Sequence, residues 1–536
     1  MLIDEQQNAA AAASAADRLD AVTQVSRRRL VKNAAANYGR YGVALIITFF
    51  VQAYVIRTLG KAEYSLWPLV STVTGFVALI PVGIGSGTGR FLAHALGRRD
   101  VQDVERITTS VFFGLLPAAG LYAVAIVVAS VYFERIFDIP AGTAGIGPWA
   151  MLLAGLGGAV RIPFSVYQGG LYAAQQYVAI SVRETVLLVL RALLIVLLFT
   201  VAGPGLVFVA GVSLLVEICG ALVTWRIARR VMPWQRIRRK SFDRGTLFRV
   251  STFSGWVLVA TVAGLLFWKT DYIVINKLLE PTLLTGYSVV ATFLMQTNQL
   301  TILGNGVLSS ASTILHARAD TARIARMIYR ANRITVPMTV PVYLFLALFG
   351  SAILTVYLGD SEYAGYGMLF AILGGPMILS VTQTASTGVP LAYGRNALNS
   401  VVTLLGAVTN VGLSMYFVAV LGWGLVGVAA GTAIVVVVDR GLFWPWYTAR
   451  LLGIRWSTML INTVLLPLAN CLPAGGILAL FRILGYGSTV AELAVVVITT
   501  AVVQIAYAMV HGLHPEDRRA IGGVCARVLG LAQGRR

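Results

Sequence analysis

The chain has 536 residues, 57% of them hydrophobic and only 12% charged, with a mean hydropathy of +0.79. A soluble domain carries about 25% charged residues, so this composition over this length excludes an ordinary soluble enzyme. The net charge of +20 would suggest nucleic acid in a soluble protein; among long apolar runs it asks which side of a bilayer holds the basic residues.

Residues 1–32 are alanine-rich and polar, end near Arg27-Arg28-Arg29, and lack the short apolar core and cleavage site of a secretory signal. They read as a cytoplasmic tail, either an amphipathic helix on anionic lipid or a disordered segment. Runs of roughly 20 apolar residues then recur to Val510 and read as spanning helices. Six fall at 34–56, 64–93, 107–131, 146–172, 179–201 and 205–228. A basic linker, 231–249, precedes six more at 250–275, 283–315, 332–357, 364–392, 398–420 and 425–448. Two further spans, 457–481 and 488–511, lead to a basic tail at 513–536. The expected fold is an all-α polytopic membrane protein: two six-helix lobes, 33–230 and 250–450, plus two extra C-terminal transmembrane helices within 451–512.

Charge sets the expected orientation. With the N-terminus in the cytoplasm, 31 of the 42 basic residues fall on that side, nine of them between Arg226 and Arg249. The opposite loops hold five: Arg57, Lys61, Arg135, Lys277 and Arg482. This is the positive-inside asymmetry, with both termini inside, and it accounts for the basic balance without any nucleic acid. The longest outer loop, 133–145, is too short for a conventional active site. Cys219, Cys471 and Cys525 are far apart, and His94, His316, His511 and His514 do not cluster, so neither a disulfide framework nor metal-ligand spacing is present.

An internal repeat is visible. "GPGLVFVA" at 203 recurs as "GWGLVGVA" at 422, Val55-Ile56 as Val274-Ile275, and "LYAAQQY" at 171 as "LAYGRNA" at 391, all offset by 219 or 220. A near-constant offset at separated places points to duplication. Both halves start in the cytoplasm, so the repeat is parallel, the arrangement in which transporters place a substrate site between lobes that rock.

Asn33, "VIRTLGKAEYSLWPL" from 55, "PVGIGSGTGRFLA" from 81, "TDYIVINKLLEPTLLTGYSVV" from 270 and "LGWGLVGVAAGTAI" from 421 carry a resemblance over about residues 30–450. The chain resembles the Wzx-type polysaccharide flippases, which share a superfamily with the MATE exporters and the lipid II flippases. The resemblance implies a MATE-like fold in the bacterial cytoplasmic membrane and no enzymatic activity. The implied cargo is an undecaprenyl-pyrophosphate-linked oligosaccharide for surface or exopolysaccharide. Membrane lipids surround it, and glycosyltransferases and a polysaccharide polymerase are candidate partners. No cofactor is expected; an H⁺ or Na⁺ gradient or the membrane potential supplies direction. A cation-coupled multidrug exporter and a lipid II flippase are the alternatives, the latter favoured by fourteen spans. A membrane polymerase or ligase would be expected to carry a sizeable outer loop.

The glycines of "PVGIGSGTGR" form no nucleotide loop: G-x-G-x-G-x-G inside an apolar run is neither a dinucleotide fingerprint nor a P-loop. Pro81 removes a backbone donor and Gly83, Gly85 and Gly87 weaken the helix, so the second span is expected to break and act as a hinge lining a cavity, or else to allow close helix packing. Arg40, Arg90, Arg161 and Arg191 lie inside spans of the first lobe, where an unpaired charge costs at least ~2.5 kcal/mol on insertion scales. Guanidinium forks match phosphate oxygens, so these arginines, with Lys269, are candidates for holding pyrophosphate. Snorkelling to the cytoplasmic interface is the other reading for Arg90 and Arg40. Glu184 and Glu217 are the carboxylates available to neutralise the arginines; arginines locked to such acidic neighbours, or turned out to either water layer, would remove the cationic-site reading. Asp271, Glu217 and Asp439 are candidates for ion coupling, with structural ion pairs as the alternative.

Overall fold

A computed structural model of the chain describes residues 27–512 apart from 86, 303 and 304. The expectations for residues 1–26, for the tail from 513, and for His514 and Cys525 lie outside the described residues. All regular structure among those described is helical. Each of the fourteen expected spans coincides with a helix or a broken helix. Among the described residues ten helices are long and apolar enough to cross a membrane, or eleven if the bent pair Trp456–Ala469 and Leu472–Ile483 counts as one.

The chain divides into two compact units, up to Thr285 and from Gly286. The first contains α1 (Arg27–Tyr64), a broken second span made of α2 (Leu66–Val77), α3 (Leu79–Gly85) and α4 (Thr88–Gly97), then α5 (Val101–Val131), α6 (Ile146–Ala173), α7 (Tyr177–Ala202), α8 (Leu206–Val231) and α9 (Arg244–Leu278). The break in the second span falls where proline and glycine weaken it. Close packing of α6 rests on its small residues: a Cβ at Gly155 would meet Ile126 of α5, and one at Gly157 would lie 3.2 Å from the Leu214 Cα of α8. Without a hydrophobic drive between helices in lipid, such close backbone approach is what holds a bundle together.

The linker is a strap rather than a tether. Trp234 and Gln235 are buried, and Gln235 Nε2 donates to the Val166 carbonyl at 3.1 Å. Ser241 Oγ donates to Glu105 at 2.6 Å, and the Asp243 N–H donates to Ser110 Oγ at 2.9 Å. Asp243 then caps α9, its carboxylate accepting from the N–H groups of Gly245 and Thr246.

In the second unit α10 (Leu283–Ile302) and α11 (Asn305–Ala317) lead to the long α12 (Thr321–Leu358), followed by α13 (Met368–Gln383), α14 (Asn396–Ala419), α15 (Gly424–Val436) and α16 (Trp444–Leu452). The C-terminal pair, Trp456–Ala469 with Leu472–Ile483 and then Val490–Val510, packs on α12. Buried Asn332 of α12 fastens it: Nδ2 donates to the carbonyls of Thr382 and Thr463, the latter at 3.1 Å. An unpaired amide there would carry a desolvation cost, so these bonds fix register as well as position.

The repeat reappears as local geometry. Helices end in a left-handed residue at Arg99 (φ 58°) and at Ala319 (φ 55°), 220 apart, and again at Gln175 (φ 53°) and Gly394 (φ 68°), 219 apart. Each is followed by the same six-residue return bond: Asp100 N–H to Ala95 O, Asp320 N–H to Leu315 O, Gln176 N–H to Leu171 O, and Arg395 N–H to Pro390 O. These are Schellman closures. Asp100 and Asp320 then each cap the next helix. Gly203 and Gly422, the first residues of the matched sequence words, both take positive φ.

Candidate functional site

Within the first unit, one face each of α6, α7 and α8 encloses a cavity of about 240 Å³. From α6 come Arg161, Phe164, Ser165 and Gln168; from α7, Arg183, Glu184, Leu187, Leu188 and Arg191; from α8, Val216, Glu217, Gly220, Ala221 and Thr224. Each set contains the i, i+3, i+4, i+7 spacing of one helical stripe, with Arg183 and Val216 one position ahead of it on α7 and α8. Gly157 and Gly220 allow the approach: a Cβ at Gly157 would lie 3.3 Å from the Glu217 side chain, and one at Gly220 would lie 3.0 Å from Leu187.

The charges form two groups along α7. Near its start, Glu184 is bridged by Arg40 Nη1 of α1 at 2.8 Å and by Arg183 Nη2 at 3.4 Å. Arg40 also donates to Asn37 at 3.0 Å, and Arg183 donates to the Thr224 hydroxyl, which in turn donates to the Gly220 carbonyl. Two turns further along, Arg161 Nε lies 3.3 Å from Glu217, and Arg191 stands within electrostatic reach of the same carboxylate. Four guanidiniums therefore share two carboxylates, a formal surplus of two positive charges. The Nε atoms of Arg183 and Arg191 are buried without a hydrogen-bond partner among the described residues. Buried donors of this kind are rare and costly unless a ligand or water completes them.

Of the predicted arginines, Arg161 and Arg191 line the cavity, and Arg40 adjoins it through its pair with Glu184. Arg90 does neither: it is exposed, and its guanidinium lies over the Phe253 ring at 4.6 Å. Lys269 stands elsewhere in this unit, 3.3 Å from Ser71 Oγ and over the Tyr272 ring, and does not line the cavity. Asp271 is buried in α9. Glu217 is the one coupling candidate that lines the cavity. In the second unit Asp439 pairs with its neighbour Arg440 at 3.0 Å. These residues sit in a π-helical turn, 437–443. Pro81, Gly83 and Gly85 lie in α3, and Gly87 follows it. Gly87 donates its N–H to Ser254 Oγ of α9 at 3.0 Å, where a Cβ would come 2.9 Å from Phe253. At Gly87 the missing side chain lets another helix come close.

Arg183 is the residue that sequence reasoning missed. It lies near a predicted span end and counts among the cytoplasmic basic residues. Its spacing from Leu187 and Arg191 was the available signal.

Residues 30–313, more than half of the chain, match the sequence profile described as polysaccharide biosynthesis protein. The chain belongs to that family. Among curated proteins, this polysaccharide biosynthesis protein is similar to the uncharacterized membrane protein EpsK of Bacillus subtilis strain 168, with 21% identity over 435 residues, covering 79% of this chain and 84% of EpsK. Among solved structures it resembles the inward-facing form of a multidrug resistance MATE family transporter of the MOP superfamily, with a TM-score of 0.60, 16% identity, and coverage of 78% and 94% of the two chains. It also resembles a MOP superfamily transporter from Pyrococcus furiosus described as having a binding pocket of reverse polarity that suggests a different function. That likeness has a TM-score of 0.58 and 16% identity, and covers 82% of this chain and 99% of the other. The fold is therefore MATE-like, and the family member is a multi-pass membrane protein.

Proposed function

We propose that the chain moves an undecaprenyl-pyrophosphate-linked oligosaccharide from the cytoplasmic to the outer leaflet, for surface or exopolysaccharide synthesis. The observation that carries this reading is the cavity, where Arg161, Arg183 and Arg191 stand against Glu184 and Glu217, with Arg40 held to Glu184 beside it. A guanidinium inside a membrane protein is expensive, and a carboxylate partner offsets part of that cost while the site is empty. A diphosphate offers more charge and more acceptor oxygens than one carboxylate, so it competes for the forks and completes the buried Nε donors. The polyprenyl tail stays in lipid, since each methylene kept out of water saves about 0.8 kcal/mol. The break at Pro81–Gly87 serves as a hinge in the movement. An ion gradient or the membrane potential gives direction, with Glu217 the coupling candidate that shares the site.

A cation exporter is the alternative that the MATE-like fold keeps in view. A surplus of positive charge repels its cargo, which weighs against it. The deciding experiment replaces Arg161 and Arg191 by Ala, singly and together, in a strain that depends on this gene for surface polysaccharide. The expected result is loss of surface polysaccharide in the double variant with the protein still in the membrane. Wild-type levels would remove the reading.

A further inference from the structure

The geometry points to two successive anion stations in the cavity, so that the diphosphate headgroup steps from Arg40 and Arg183 to Arg161 and Arg191. This rests on the cationic-site reading above and extends it to how the site is loaded. Arg183 and Arg191 are eight residues apart on one helix, a rise of ~12 Å. Glu217 and Thr224 mark the same two levels on α8, seven residues or ~10 Å apart. One diphosphate is far shorter than that separation and engages one level at a time.

The two levels are built alike. Each has two arginines against one glutamate, and each keeps a buried guanidinium Nε without a partner among the described residues. At the first level the Arg183 side chain is 11% exposed, and the Thr224 hydroxyl helps hold it in place. Arg161 of the second level is 57% exposed. The Arg183 level adjoins the loop before α7, at 174–176, which the charge asymmetry assigns to the cytoplasm. A headgroup arriving from that side meets Arg183 first. Each glutamate acts as a resident anion that a phosphate displaces and that closes the level again when the phosphate leaves. Stepping between similar wells keeps either one from becoming a trap.

The test uses the full chain in nanodiscs of zwitterionic lipid, titrated with farnesyl diphosphate and, separately, with inorganic pyrophosphate. The variants are Arg40→Ala with Arg183→Ala, Arg161→Ala with Arg191→Ala, all four together, and the charge-keeping Arg183→Lys as a check on folding. Two alternative stations of similar depth predict that each double variant still binds farnesyl diphosphate, about twofold more weakly than wild type because one of two equivalent sites is lost, and that only the quadruple variant fails to bind. Pyrophosphate should compete at both levels. If either double variant abolishes binding, there is one composite or single site and the relay is wrong. Unchanged affinity in the Arg40/Arg183 pair would also discard it. Should phosphatidylglycerol nanodiscs block binding only where the Arg183 level is intact, that level holds bulk lipid and the relay fails. Wild-type protein that binds neither probe would overturn the cationic-site reading itself.

Discussion

Arg90 and Arg191 are both arginines inside apolar runs, and the tertiary structure gives them different surroundings. Arg90 rests on the exposed Phe253 ring, a contact worth about 0.5–1 kcal/mol. Arg191 lines the cavity, within electrostatic reach of Glu217. Arg90→Ala should leave surface polysaccharide within about twofold of wild type, whereas Arg191→Ala should reduce it at least tenfold at equal membrane abundance. A measured ranking in the other order would relocate the site to the second span. A place deep inside an apolar run is what made Arg161 and Arg191 conspicuous in the sequence. Arg183 escaped notice because a basic residue near a span end is ordinarily interfacial. Only the direction of its side chain, toward Thr224, decided otherwise.

At the scale of elements, small residues and caps set what packs on what. Gly157 lies 3.2 Å (measured from a would-be Cβ) from backbone of α8, whereas Gly97 at the end of α4 has open space. Gly157→Val should therefore lower thermal stability by ~1–3 kcal/mol through overpacking and disturb the Arg161–Glu217 level. Gly97→Ala should be neutral or stabilising by ~0.4–1 kcal/mol. Thermal unfolding followed by size-exclusion chromatography separates the two. The cap of α9 makes a pH prediction. The Thr246 hydroxyl, then the Thr246 and Gly245 N–H groups, hold the Asp243 carboxyl below its usual range. A depressed folded-state value means that the cap stabilises fully above the unfolded-state value and loses its effect as pH falls through the folded one. The melting-temperature gap between wild type and Asp243→Ala should thus be constant near neutrality and shrink in acid. A gap undiminished below the ordinary carboxylate range would contradict the capping role.

Across the whole molecule, the basic asymmetry predicts which face is cytoplasmic. In a background lacking Cys219, Cys471 and Cys525, Arg57→Cys should react with an impermeant maleimide on intact cells, and Arg239→Cys only after permeabilisation. The reverse pattern would invert the topology and the loading order of the two stations. The strap at 232–243 matters to the same question, since its anchoring to α5 and α6 keeps the densest basic segment on one side. Local geometry also speaks to origin: left-handed closures at Arg99 and Ala319, and at Gln175 and Gly394, fall at the same offset as the matched words. Turns of this kind constrain the backbone more tightly than side chains, so they outlast identity.

Hydropathy, charge and proline–glycine punctuation were sufficient for an all-helical membrane fold and for a broken second span, because a bilayer forces each segment to satisfy its own backbone. The same local logic exposed the arginines as anomalies. It could not say which of them meet. That depends on the rotation of α6, α7 and α8 about their axes, set by Gly157, Gly220 and their partners through contacts between residues tens of positions apart. The sharing of two glutamates among Arg40, Arg161, Arg183 and Arg191 is therefore a property of packing: electrostatic pairing acts through space, and sequence spacing reports only distance along the chain.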